Sequence, residues 1–249
     1  MAAAPQESEV GARSLDGRVV LVAGAHGGLG GAAAVACASA GATVVLLGRK
    51  VPKLKRLYDA VAAAGPEPAI YPLDLEGAAP DDYVRLAGTV QAEFGRLDGV
   101  LHCAAEFPGL TPLAQTDPAA FARAIHVNLT ARWWLTQACL PLLSQARDAS
   151  VVFVVDDPGR VGGAYWGGYG IAQHGLEALL GMLHAELHNG PVRVAGLRPG
   201  PMRTHLRSRA YVDEHDRRAR DAADYAPACV TLLSGAGAVH RGEVWSPAP

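Results

Sequence analysis

The stretch Gly24-Ala25-His26-Gly27-Gly28-Leu29-Gly30 spaces its glycines as G-x-x-x-G-x-G. Glycines at that spacing permit a tight turn and a close backbone approach to a pyrophosphate, which then rests on a helix N-terminus. Further on stands Gly48-Arg49-Lys50. An acid there would meet a ribose 2′-hydroxyl and mark NAD; a guanidinium would clamp a 2′-phosphate. Arg49 therefore favours NADP(H) over NAD(H). Lysine occurs only as Lys50, Lys53 and Lys55, so a mechanism that needs a lysine elsewhere is excluded. The four cysteines and nine histidines do not cluster at ligand spacing, and no metal site is expected.

The elements that must hold these residues alternate. Apolar runs at Arg18–Ala25, Ala42–Leu47, Ala69–Leu73, Gly99–Cys103, Val151–Val155, Val192–Leu197 and Glu243–Trp245 read as strands. Helical patterns lie between them at Leu29–Ala40, Lys50–Ala64, Pro80–Phe94, Pro118–Leu143, Gly168–His188 and Ala222–Leu233. Alternation of this kind predicts an α/β fold with a parallel sheet covered on both faces. Residues 17–249 read as one domain, and residues 1–16 as a loosely held tail without a signal-peptide pattern.

Composition narrows the function classes. Twenty-two basic residues against twenty-four acidic ones give a net charge of -2, which does not suit a nucleic-acid binder. No run approaches the roughly 18–20 apolar residues of a membrane span. Cys37, Cys103, Cys139 and Cys229 lack C-x-x-C spacing and read as reduced thiols, pointing to a cytoplasmic setting.

With these residues in view, the sequence resembles the short-chain dehydrogenase/reductase family from about Gly17 to Trp245. Gly24, Gly28 and Gly30, with Leu29 between them, match its coenzyme turn, although the usual preceding Thr is Ala23. Asp74, followed by Leu75, matches the residue that holds adenine. Pro199-Gly200-Pro201-Met202-Arg203-Thr204 matches the P-G-x-x-x-T stretch whose Thr meets the nicotinamide carboxamide. Asn128 matches the helix asparagine, and Tyr169 stands where the catalytic tyrosine belongs. Arg160, Trp166 and Leu135-Thr136-Gln137-Ala138 look like a bacterial oxidoreductase branch. The resemblance implies a Rossmann-like doubly wound sheet, NADP(H) as cofactor, an unidentified small-molecule substrate, and a homodimer or homotetramer formed by the helices after the fourth and fifth strands.

The resemblance also implies a tetrad of Asn, Ser, Tyr and Lys, and here the pattern breaks. Four residues after Tyr169 stands Gln173 in place of Lys; thirteen before it stands Asp156 in place of Ser. No Ser, Thr or Tyr lies between Val151 and Ala164, so a register shift does not restore the pattern. Taking Tyr165 as the catalytic residue puts Tyr169 at the Lys position. The family's N-A-G stretch reads Cys103-Ala104-Ala105, whose added side chains are expected to crowd the nicotinamide end. Losing an ammonium and gaining a carboxylate both raise a tyrosine pKa. The expectation is an NADP(H)-binding fold whose ordinary redox activity is lost, weak or repurposed. The alternatives are an active carbonyl reductase with Tyr169 as proton donor, or a non-catalytic structural or regulatory partner. A protonated Asp156 that donates a hydrogen bond is a further possibility. His102 and His126 read as structural, and His174, about 140° round the helix from Tyr169, is not aimed with it. The stretch Met202–Asp221, rich in Arg, resembles the family's substrate lid.

Overall fold

The computed structural model describes residues 13–211 and 218–247. Seven strands form one parallel sheet in the order β3-β2-β1-β4-β5-β6-β7. They are β1 (Val19–Ala23), β2 (Thr43–Gly48), β3 (Ala69–Pro72), β4 (Gly99–His102), β5 (Ala149–Val154), β6 (Val192–Leu197) and β7 (Val244–Trp245). Parallel pairing forces each connection to cross back over the sheet, and helices provide the crossings. They are α1 (Gly28–Ser39), α2 (Val51–Ala64), α3 (Pro80–Phe94), α4 (Pro118–Ile125), α5 (Ala131–Leu143), α6 (Pro158–Val161), α7 (Gly167–Leu187), α8 (His205–Ser208) and α9 (Ala226–Leu233). The strand order reverses on either side of β1, so a crevice opens between the ends of β1 and β4.

Strand alternation builds two cores. Val19, Leu21 and Ala23 pack on one face with residues of α3, α5 and α7. Val20 and Val22 pack on the other with residues of α1, α2 and α9. Two faces buried at once explain why the strand sequences are apolar at nearly every position.

Four details differ from expectation. Residues 1–12 lie outside the described part, but Leu15 is fully buried and its N–H donates to Ala40 O at 3.0 Å. Residues 13–16 therefore belong to the domain, because the apolar side chain fills the edge of the α1–α2 core. The helix expected over Pro118–Leu143 contains a π turn at His126–Thr130, which separates α4 from α5. The helix expected from Ala222 begins with a 3₁₀ turn, Ala222–Tyr225, because Pro227 suits only the first turn of the α-helix that follows. The Arg-rich stretch to about Asp221 reads as irregular in the sequence, but α8 forms in it and Met202 bridges Arg220. Arg217, Asp213, Glu214 and Asp216 of that stretch lie outside the described residues.

The edge opposite the crevice is tied by charge. Asp148 accepts from Arg18 Nη2 at 2.7 Å and from Arg193 Nε at 2.6 Å. Arg193 also donates to Ser234 O at 2.8 Å, so the cluster joins β1, β5, β6 and the end of α9. Although burial raises the Asp148 pKa, the two guanidiniums hold it below the ordinary carboxylate value. A depressed folded pKa stabilises above the unfolded value and loses that effect as pH falls through the folded one. Asp148→Asn is therefore expected to lower the thermal midpoint at pH 7, with the gap from the parent closing as pH falls toward 3. A gap independent of pH would count against the charge as the cause.

Candidate functional site

The glycine turn follows β1 directly. Gly24 adopts φ +79°, and a Cβ there would lie 2.5 Å from the Ala104 backbone. A Cβ on Gly30 would strike the Gly24 carbonyl, and one on Gly28 would lie 3.2 Å from Thr204 Cγ2. Gly24 and Gly30 therefore admit only glycine, Gly28 leaves little room beside Thr204, and together they leave a groove at the N-terminus of α1 where Leu29 is buried. Thr204 Oγ1 accepts from Arg207 N at 3.2 Å, capping α8, and Pro199, Gly200 and Thr204 line the same cavity as the glycine turn.

At the far end of the groove four cationic or basic side chains line the wall: His26, Arg49, Lys50 and Lys53. His26 Nδ1 is buried and has no hydrogen-bond partner. Burial, then the charges of Lys50, Lys53 and Arg49, hold its imidazole below the usual 6.5, against the opposing pull of Asp74. Arg49 faces Asp74 at 3.8 Å, Glu76 at 3.6 Å and Glu106 at 3.8 Å, long contacts between half-exposed groups that contribute little. Asp74 Oδ1 also accepts from Glu76 N at 3.2 Å, and Leu75 is buried behind it. An orphaned imidazole nitrogen amid three cations fits a phosphate, and the glycine cradle fits a pyrophosphate; the residues present suit a phosphorylated dinucleotide. His26 and Lys53 were not singled out in the sequence. Their signal was adjacency, one inside the glycine turn and the other one helical turn beyond Arg49.

The other end of the cavity, about 480 Å³ in all, holds the chemical groups. Tyr169, at the start of α7, is 4% exposed and its hydroxyl donates to Asp156 Oδ2 at 2.9 Å. Asp156 Oδ1 accepts from Arg160, with which it forms an ion pair, and from Asp157 N at 2.7 Å. Every partner of the carboxylate is thus a donor. Asp157 caps α6, accepting from Gly159 N at 3.0 Å. Burial, the Asp156 charge and the hydrogen bond to it push the Tyr169 phenol well above 10; Arg132 and Arg160 oppose the shift without cancelling it.

Gln173 is buried at the lysine position and its Oε1 accepts from Asp156 N at 3.0 Å. Asn128 is not brought to the cavity. Its amide donates to Glu106 O and Ala124 O, both at 2.7 Å, and its oxygen accepts from Glu106 N at 3.1 Å. That side chain is spent on backbone and anchors the loop after β4. Tyr165 is 53% exposed with φ +77° and does not take the place of Tyr169. Ala105 is exposed at the cavity wall, while Cys103 is more enclosed and burial pushes its thiol up to about 12. His102 is buried, with Nε2 2.9 Å from Thr136 Oγ1; His126 packs edge-on against Trp134; His174 Nδ1 lies 2.9 Å from Gly170 O.

Two features had no clear sequence signal. Phe107 and Trp166 pack on Tyr169, with ring centroids 5.1 and 5.9 Å away, and Tyr211 packs on Trp166 behind them. Arg132 is fully enclosed beside them: it is 2% exposed, donating to Val154 O at 2.9 Å and Ala104 O at 2.5 Å.

Comparison with known proteins agrees with this geometry. The family model described as short chain dehydrogenase matches residues 18–215. The chain is 34% identical over 220 residues to the uncharacterized oxidoreductase YciK of Escherichia coli (strain K12), covering 88% of this chain and 87% of that one. A solved structure from Pseudomonas syringae is 40% identical, with TM-score 0.90 over 94% of this chain and 96% of the other. Another, from Escherichia coli CFT073 and complexed with NADPH, is 33% identical, with TM-score 0.90 over 95% and 99%. A glycine turn at the crevice of a parallel sheet, a tyrosine opening the helix after β5 and these matches lead to one conclusion: the chain belongs to the short chain dehydrogenase family.

Proposed function

We propose that the chain binds NADP(H) and has exchanged the family's ordinary proton relay for a slower one. In this reading alcohol oxidation is suppressed, and hydride chemistry runs toward weak reduction of a carbonyl with Tyr169 as proton donor. The observation that carries it is the Tyr169–Asp156 hydrogen bond of 2.9 Å inside the cavity. A buried phenol pushed up by the Asp156 charge stays protonated at neutral pH. Such a group keeps its proton to give and is a poor acceptor.

Gly24, Gly28, Leu29 and Gly30 would hold the pyrophosphate. Arg49, with His26, Lys50 and Lys53, would take the 2′-phosphate. Asp74 and Leu75 would border the adenine, and Pro199, Gly200 and Thr204 the nicotinamide carboxamide. The NADPH-complexed relative supports this choice of cofactor. When bound, the cofactor supplies a hydride. Tyr169 then turns its O–H from Asp156 to the substrate oxygen, against a charge-assisted bond that slows the step. Asp156 and Gln173 occupy the Ser and Lys positions and hold each other. Asn128 steadies the loop that carries Glu106.

The reading extends to a homodimer or homotetramer through α5 and α7, which expose Trp133, Ile171 and Met182. It places the chain in the cytoplasm, in keeping with four free thiols. No helix among the described residues is long and apolar enough to cross a membrane.

NADPH should bind more tightly than NADH in a fluorescence titration. Arg49→Ala should weaken NADPH roughly ten- to a hundredfold, about 1.4–2.8 kcal/mol, and leave NADH within a few fold; binding of neither nucleotide sinks the proposal. Across a panel of aromatic ketones and diketones, reductase rates should be flat from pH 6 to 9. Oxidation of the matching alcohols should climb about tenfold per pH unit, as the scarce phenolate becomes commoner. Asp156→Ser should raise reductase kcat/KM by roughly tenfold, a small part of the 10²–10⁴ that acid–base catalysis supplies. Brisk alcohol oxidation by the parent at pH 7 would overturn the assignment of direction.

A further inference from the structure

Arg132 sits on the first turn of α5 with its guanidinium sealed inside the protein. Its acceptors are two main-chain carbonyls, Val154 O at the end of β5 and Ala104 O just beyond β4. Among the described residues no carboxylate forms an ion pair with it, and its Nε is buried without a partner. A buried charge without a counter-ion is costly, and a protein that needed only to fill this space would do so with an apolar side chain. The residue lines the same cavity as Tyr169 and Gln173.

Position 173 has no charge to offer, and its amide oxygen is committed to Asp156 N. The phenol that must pass through an anionic state as it gives up its proton lies against Asp156. We propose that Arg132 is the resident cation of the proton-transfer site, a positioning residue that supplies from α5, beside Tyr169, the positive charge that position 173 lacks. The proposal rests on Tyr169 being the proton donor. Arg132 acts through Tyr169 and need not touch a substrate.

The charge is available when needed. Burial brings the Arg132 pKa down to about 10, and Tyr169 and Cys103 pull it upward, so the guanidinium is still charged at neutral pH. In return Arg132 is the first of the two cations that draw the Tyr169 phenol downward, ahead of Arg160. The charged groups that act on Tyr169 are Asp156 from the loop after β5, Arg160 from α6 and Arg132 from α5. His205, Arg207, Arg209 and Tyr211 line the cavity from the segment after Thr204. Arg160 is already matched to Asp156. Arg132 has no such partner, and its field falls on the phenol.

The π turn His126–Thr130 aims it. An α-helix that takes in one extra residue turns everything after it by about 100°. Both Asn128 and Arg132 thereby face inward, the first onto the loop after β4 and the second toward the cavity that Tyr169 also lines.

The test needs neither cofactor nor substrate. Install 3,5-difluorotyrosine at position 169, whose phenol ionises well below that of tyrosine, and follow its ¹⁹F shift with pH. Arg132→Met should raise the midpoint by about one pH unit or more, a tenfold loss of phenolate at a given pH. Arg132→Lys should keep it within half a unit of the parent. Arg132→Met with Gln173→Lys should bring it back down. An unchanged midpoint in Arg132→Met, or an Arg132→Lys midpoint that moves as far, overturns the proposal. Should Arg132→Met not fold, Arg132→Gln, whose amide can still reach a strand carbonyl, carries the same comparison. A protein that binds no NADPH yet shows the shift keeps this inference and loses the cofactor reading; one that binds NADPH without the shift does the reverse.

Discussion

A parallel sheet ends all its strands in the same direction, and the last carbonyls of each strand must find donors beyond the ladder. The rest of this site follows from that requirement. At the end of β2 the Leu47 carbonyl takes the N–H groups of Gly24 and Ala25, which fixes where the glycine turn begins. At the end of β5 and just past β4, the Val154 and Ala104 carbonyls take the guanidinium of Arg132. The cofactor turn and the buried cation are therefore two answers to one problem, set side by side because β1 and β4 are neighbours.

The chemical end is organised by charge. Asp156 draws three donors to itself: Tyr169, Arg160 and a main-chain N–H. A serine at that position would leave the phenol free to serve a substrate. The carboxylate instead occupies the phenol, holds its proton and orders α6 and α7 around it. Phe107 and Trp166 pack against the Tyr169 ring, and this apolar side of the site strengthens both the attraction to Arg160 and the repulsion that a phenolate would feel.

Most of the architecture was legible in the sequence because the strands are apolar on both faces and the helices between them are long. The alternation of strands and helices and the glycine turn follow from pattern and spacing, whereas Tyr169, Asp156 and Gln173 were picked out by the family resemblance. Arg132 was not legible. An arginine in an apolar helix ordinarily snorkels to water, and only the π turn, which leaves no mark in residue periodicity, points it inward. Leu15 was missed because a single apolar residue among polar ones has no period to read. The motif of Asn128 was clear in the sequence, but that its side-chain amide is taken up by Glu106 and Ala124 was not. His26 lay inside a motif whose glycines absorbed the attention. Its imidazole acquires meaning only when Lys50, Lys53 and Arg49 fold around it.

The π turn has a consequence for how sequences of this kind should be compared. A difference there is a matter of helix phase and not of residue type. Remove one residue from the stretch 126–130 and an unbroken α-helix results, with a neighbouring side chain standing where Arg132 stands now. In an alignment that event is a one-residue gap inside a well-formed helix, the kind of mark usually dismissed as noise. Here it would carry the electrostatic identity of the site, with every column on either side unchanged.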